Sequence, residues 1–145
     1  MPVDTLFEKL RFAERRLIAA EERVAFCQTA AAKTSVVLGS QCVSRARDVA
    51  SHENAIIRLM EAERAYTEAE REYSDLRDHV CSLLQRLDDP MNADILKLRH
   101  VENKRMSAIA NELHLSRSSV YRRYAIALAE LKGVLQTSQD QRAEI

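Results

Sequence analysis

Residues 106–131 read MSAIANELHLSRSSVYRRYAIALAEL, two helical patterns separated by a very short break. Ile109, Ala110 and Leu113 recur at helical spacing and are expected to face inward. Ala110 is small, as it must be where a second helix crosses the first. Leu115 is expected to pack under the turn. Ser116 is placed to cap the next helix, its hydroxyl accepting from an orphan N–H of the first turn. Val120, Tyr124, Ala127, Leu128 and Leu131 form one apolar stripe on that helix. Arg117, Ser118, Tyr121 and Arg122 are left near its exposed N-terminal end, the part of a recognition helix that reaches base edges in the major groove. His114 occupies the turn, where a glycine is often found; histidine tolerates a left-handed backbone better than most residues, at some cost.

Charge is distributed in the same sense. The chain has 22 basic and 22 acidic residues and a formal net charge of zero. Residues 91–133 carry eight basic residues against four acidic ones, a surplus of +4, whereas residues 1–90 carry 13 against 16, or −3. A basic module joined to an acidic partner segment is what phosphate binding requires, and the balanced total hides it. A solvated basic face is the alternative. Within the module, Lys104, Arg105 and Arg123 are expected at phosphates, together with Ser116 and Ser119. Ser107 is expected to help present the N-terminus of the first helix.

The sequence has two glycines, two prolines and no tryptophan, with no strand-like alternation, so an all-α chain is expected. Pro90, in LDDPMN, separates residues 1–89 from a module over 90–135; QTSQDQRAEI at 136–145 is expected to be a flexible tail. Upstream, Gly39 marks the likeliest bend, within 32–50. On its two sides run nearly unbroken heptad stripes. Val3, Leu6, Leu10, Ala13, Leu17, Ala20, Val24, Cys27 and Ala31 form one. Ala55, Leu59, Ala62, Tyr66, Ala69, Tyr73, Leu76, Val80, Leu83 and Leu87 form the other. Stripes sustained over several heptads indicate a coiled coil, and a breaker between them makes a long antiparallel hairpin the simplest arrangement. Phe7, Phe12, Ile18, Phe26, Ile56, Ile57, Met60 and Leu84 lie off the stripes. Some are expected to cover the terminal module. Others offer a seam to another copy, so a homodimer through the hairpin is expected, placing two heads on two half-sites.

Several functional classes are disfavoured. No apolar run approaches the ~20 residues of a membrane span, and MPVDTLFEKLRF lacks a signal pattern, so a cytoplasmic protein is expected. Of three cysteines, Cys27, Cys42 and Cys81, at least one must stay free. Cys27 and Cys81 fall at levels of the hairpin about 30 Å apart, too far for a disulfide. His79 and Cys81 are two apart on a helix and diverge, so no metal site is expected. Two glycines hardly build a phosphate loop, and no nucleophile is paired with a base. Neither an enzyme nor a cofactor is expected.

Residues 87–131, LDDPMNADILKLRHVENKRMSAIANELHLSRSSVYRRYAIALAEL, resemble the fourth region of bacterial sigma factors. The resemblance rests on Ile95, Leu96, Leu98 and Arg99, then Ile109-Ala110, Leu113, Leu115-Ser116-Arg117, Val120 and Ala127-Leu128. In layout the chain is similar to small phage-encoded sigma-like regulators, which join an N-terminal helical hairpin to such a module. The resemblance implies a helix-turn-helix that reads a promoter element in double-stranded DNA and touches RNA polymerase. The chain has no room for the sigma region that melts the downstream element, so a regulator of phage or prophage genes is expected rather than a complete sigma factor. Two rivals stand beside it: a DNA-packaging protein of the small-terminase type, and a polymerase-binding module that does not read DNA.

Overall fold

A computed structural model describes residues 2–38 and 45–144, and every regular element among them is helical. Helix α1 spans Val3–Leu38 and α2 spans Arg45–Leu84. Then come α3, Pro90–Leu96, with a π-helical continuation over Lys97–Val101, α4, Met106–Leu113, and α5, Arg117–Ala143. The expected bend at Gly39, and Cys42, lie outside the described residues. No helix among the described residues is long and apolar enough to cross a membrane.

Helices α1 and α2 pack against each other. Arg16 Nη1 donates to Glu72 Oε2 at 2.8 Å, and Thr34 Oγ1 lies 2.9 Å from His52 Nδ1. Ascending 18 residues on α1 thus means descending 20 on α2, an antiparallel register. All residues of both heptad stripes are buried or half-buried. Ala13, Cys27, Ala62 and Ala69 are among the buried ones, and small side chains there let the two backbones approach closely. Cys27 is a buried free thiol and fills this seam as a small apolar residue.

By compactness the chain divides into two units. Residues 13–73 form one; residues 1–12 and 74–145 form the other, so each long helix contributes to both. In the second unit the first three turns of α1 bury Val3, Leu6, Phe7 and Leu10, and the end of α2 buries Val80, Leu83 and Leu84. Phe7 and Leu84, off the stripes, are therefore internal and offer no seam to a second copy. Ile18, Phe26, Ile57 and Met60, by contrast, are at least half exposed or nearly so.

Helix α3 begins where the sequence stops α2. Asp89 is its N-cap, its Oδ1 accepting from the Met91 N–H at 2.9 Å, and Pro90 sits at the first helical position, where no N–H is needed. The helix widens at its end: the Glu102 N–H reaches the Lys97 carbonyl, five residues back. Asn103 then takes a left-handed backbone, φ 56°, and the Lys104 N–H returns to the Leu98 carbonyl. Asparagine is one of the few side chains that accept this conformation readily.

Helix α5 runs on to Ala143, although the polar composition of 136–145 leads one to expect a flexible tail. Leu131 and Leu135 are buried, so packing holds the helix up to the residue before the polar stretch. Arg86 Nη1 also donates to Ser138 Oγ at 2.6 Å. Gly133 does not interrupt it. The cost of a helical glycine, ~1 kcal/mol, is small beside the burial on either side.

Candidate nucleic-acid interface

The core beneath the candidate interface is one cluster: Ile95, Leu98, Met106, Ile109, Ala110 and Val120, with Met91, Leu113, Leu115 and Tyr124 packed against it. Ile95, Ile109 and Val120 are fully enclosed, and each such side chain contributes about 1.5–3 kcal/mol. Every residue of 106–120 expected inward lies in or against this cluster.

The connection between α4 and α5 is three residues long and closed by hydrogen bonds. His114 adopts φ 56°, ψ 40°. Its N–H reaches the Asn111 carbonyl at 3.4 Å, and the Leu115 N–H reaches the Ala110 carbonyl at 2.9 Å. This paired pattern ends a helix with a left-handed residue, here histidine in place of glycine. Leu115 then packs back on the cluster. Ser116, extended at φ −70°, ψ 155°, accepts from the Ser119 N–H at 3.2 Å and so caps α5. Its hydroxyl also donates to Ser119 Oγ at 2.8 Å. Ser116 and Ser119, both expected at phosphates, thus first serve the cap.

Arg117, Ser118, Tyr121 and Arg122 are all exposed in the first turns of α5. At 3.6 residues per turn they occupy an arc of about 140° on one side of the helix. Val120, Ala127 and Leu131, on the other side, are fully buried, which fixes how the helix is rotated. The four residues expected to read bases therefore share one solvent-facing surface at the positive end of the helix dipole.

The residues expected at phosphates are placed less uniformly. Arg105 precedes α4 with an extended backbone, and Ser107 lies in its first turn; both are exposed. Lys104 Nζ donates to Glu112 Oε2 at 2.6 Å, with Glu102 Oε2 at 3.8 Å. The hydrogen bond to Glu112 holds the Lys104 ammonium above its ordinary pKa. Arg123 is half-buried, and its Nη1 donates to Asp89 Oδ2 at 3.2 Å. Arg99 Nη1 donates to the Lys104 carbonyl at 3.2 Å and steadies that loop. The carboxylate partners Asp89, Glu102 and Glu112 are not foreseeable from spacing. Lys104 and Glu112 are eight residues apart across a turn, and Asp89 and Arg123 are 34 apart.

Behind this face sits an aromatic stack. The rings of Phe7 and His100 lie 3.8 Å apart and nearly parallel, at 6°. His100 Nε2 lies 2.9 Å from Tyr124 Oη. His100 Nδ1 is buried without a hydrogen-bond partner. Burial, aided by the Arg99 and Arg11 charges and opposed by Asp4, lowers its pKa to about 4. Burial likewise raises the pKa of Tyr124. A neutral imidazole thus links α1, the π-helical turn and α5 within this unit. The ring is half-buried, stacked on Phe7 and flanked by the Arg99, Arg11 and Asp4 charges. Comparison with known protein families, curated proteins and solved structures gives no match.

Proposed function

We propose that the chain is a sequence-specific DNA-binding transcription regulator of phage or prophage genes. In this reading residues 90–135 form a sigma-region-like helix-turn-helix domain, and the antiparallel α1–α2 hairpin carries self-association. One observation supports it most. A capped helix presents Arg117, Ser118, Tyr121 and Arg122 together to solvent, while its opposite stripe is anchored in a rigid core. Arginine bonds guanine through two donors, and serine and tyrosine add hydrogen bonding at base or phosphate. The local surplus of basic residues supplies the sequence-independent attraction.

Self-association is supported by Ile18, Phe26, Ile57 and Met60, large apolar side chains left exposed on α1 and α2. A two-fold dimer would put two reading heads on paired half-sites. RNA polymerase is the further partner of this reading. The test is selection of bound sequences from random duplex DNA. Enrichment of a defined motif supports the reading. A pool that stays random, with retention independent of salt, refutes it.

A further inference from the structure

We propose that Asp89 and Glu112, with Glu102 in support, compete with DNA phosphates for Arg123 and Lys104 and so hold down sequence-independent binding. The inference rests on the DNA-binding reading above. Two of the three cations expected to meet the DNA backbone are already engaged by carboxylates: Arg123 by Asp89 at 3.2 Å and Lys104 by Glu112 at 2.6 Å. A carboxylate oxygen and a phosphate oxygen make the same charge-assisted bond to these donors, so one excludes the other.

Both pairs can be exchanged. Their side chains are 36–47% exposed, which leaves the cations within reach of a duplex and the pairs weak. The exchange is local. Lys104 is fixed through its backbone, its N–H on the Leu98 carbonyl and its carbonyl on Arg99, so only the ammonium end has to turn. Arg123 directly follows Arg122 on α5, about 100° round the helix from it and so at the flank of the exposed arc. Asp89 is doubly engaged: Oδ1 caps α3 while Oδ2 takes Arg123. Its position is therefore set by the helix start and not by the arginine. A site that must first give up these pairs gains less from phosphates anywhere, and the base-reading side chains decide a larger share of the discrimination.

The experiment compares wild type, Asp89→Asn and the double variant Glu102→Gln, Glu112→Gln on a mixed-sequence duplex over a range of salt. Asparagine caps a helix as well as aspartate does, so α3 is preserved; circular dichroism checks the fold of each protein. Asp94→Asn, exposed on α3 and outside both pairs, controls for simple loss of negative charge. Releasing either cation should raise affinity about two- to five-fold at low salt. It should also steepen the dependence of log K on log salt by about 0.9. Asp94→Asn should leave the slope unchanged. If wild type binds and the variants match it, or if Asp94→Asn produces the same steepening, the competition is refuted and the DNA-binding reading stands. If none of the proteins binds duplex at low salt, both fall together.

Discussion

His100 gives the terminal unit a pH-dependent stability whose size follows from its surroundings. The imidazole is stacked on Phe7 and bonded to Tyr124, and its pKa falls from 6.5 to about 4. In the unfolded chain the ring takes a proton as pH drops through 6.5; in the folded protein it does so only near pH 4. A group depressed in the folded state contributes stability that is fully present above its unfolded pKa. That contribution is lost as pH falls through the folded value. The full shift corresponds to about 3 kcal/mol at 1.36 kcal/mol per unit. His100 is only half-buried, so solvent screening reduces this to about 1–2 kcal/mol. The perturbation is His100→Gln, which keeps a polar partner for Tyr124 and removes the titration. Urea denaturation of both proteins, at about pH 7 and about pH 4.5, isolates the difference, because carboxylate titration is common to the two. Wild type should lose about 1–2 kcal/mol more than the variant across that interval. Equal losses would show that the ring is not held neutral by burial, and the account of the stack would fail.

Three further outcomes follow from named contacts. Ser116→Ala removes the acceptor for the Ser119 N–H and should cost about 0.5–2 kcal/mol in thermal or urea unfolding. His114→Gly relieves a left-handed backbone at φ 56° and should raise stability by about 0.5–1 kcal/mol; a loss would mean that the imidazole contributes contacts outweighing the strain. Ile57→Gln with Met60→Gln should leave helicity unchanged but weaken self-association in sedimentation, since both side chains are about half exposed. A wild-type chain sedimenting as a monomer at micromolar concentration while retaining full affinity for its site would contradict the dimer.

Periodicity made the long helices and the inward face of the terminal module readable. Stripes such as Leu10–Ala13–Leu17 and Ala62–Tyr66–Ala69 turn inward because a two-helix seam repeats with the helix itself. The same logic identified Ile109, Ala110, Val120 and Leu131. Periodicity describes a pair of helices and is silent about a third body. Phe7 and Leu84 are off the stripes and looked available to another copy, yet both are buried within the unit that holds the terminal helices. The π-helical turn at Lys97–Val101 also escapes pattern reading, because one extra residue in a turn leaves no compositional mark. The end of α5 is obscured by polar composition: after Val134 and Leu135 the sequence turns polar, yet the helix continues to Ala143. Charge pairing is the least legible property. The partners of Lys104 and Arg123 depend on where loops bring carboxylates, as with Asp89, which the start of α3 places beside α5.

In the proposed function the exposed arc of α5 reads DNA sequence. The most direct test is the selected motif of wild type set against those of Arg117→Ala, Arg122→Ala and the double variant. Both arginines are exposed, so helicity and melting should be unchanged. Each variant should lose preference at a defined base pair, a discrimination of about 1–3 kcal/mol, while general duplex affinity falls only modestly. An unchanged motif in the double variant would contradict the assignment of this helix to base reading.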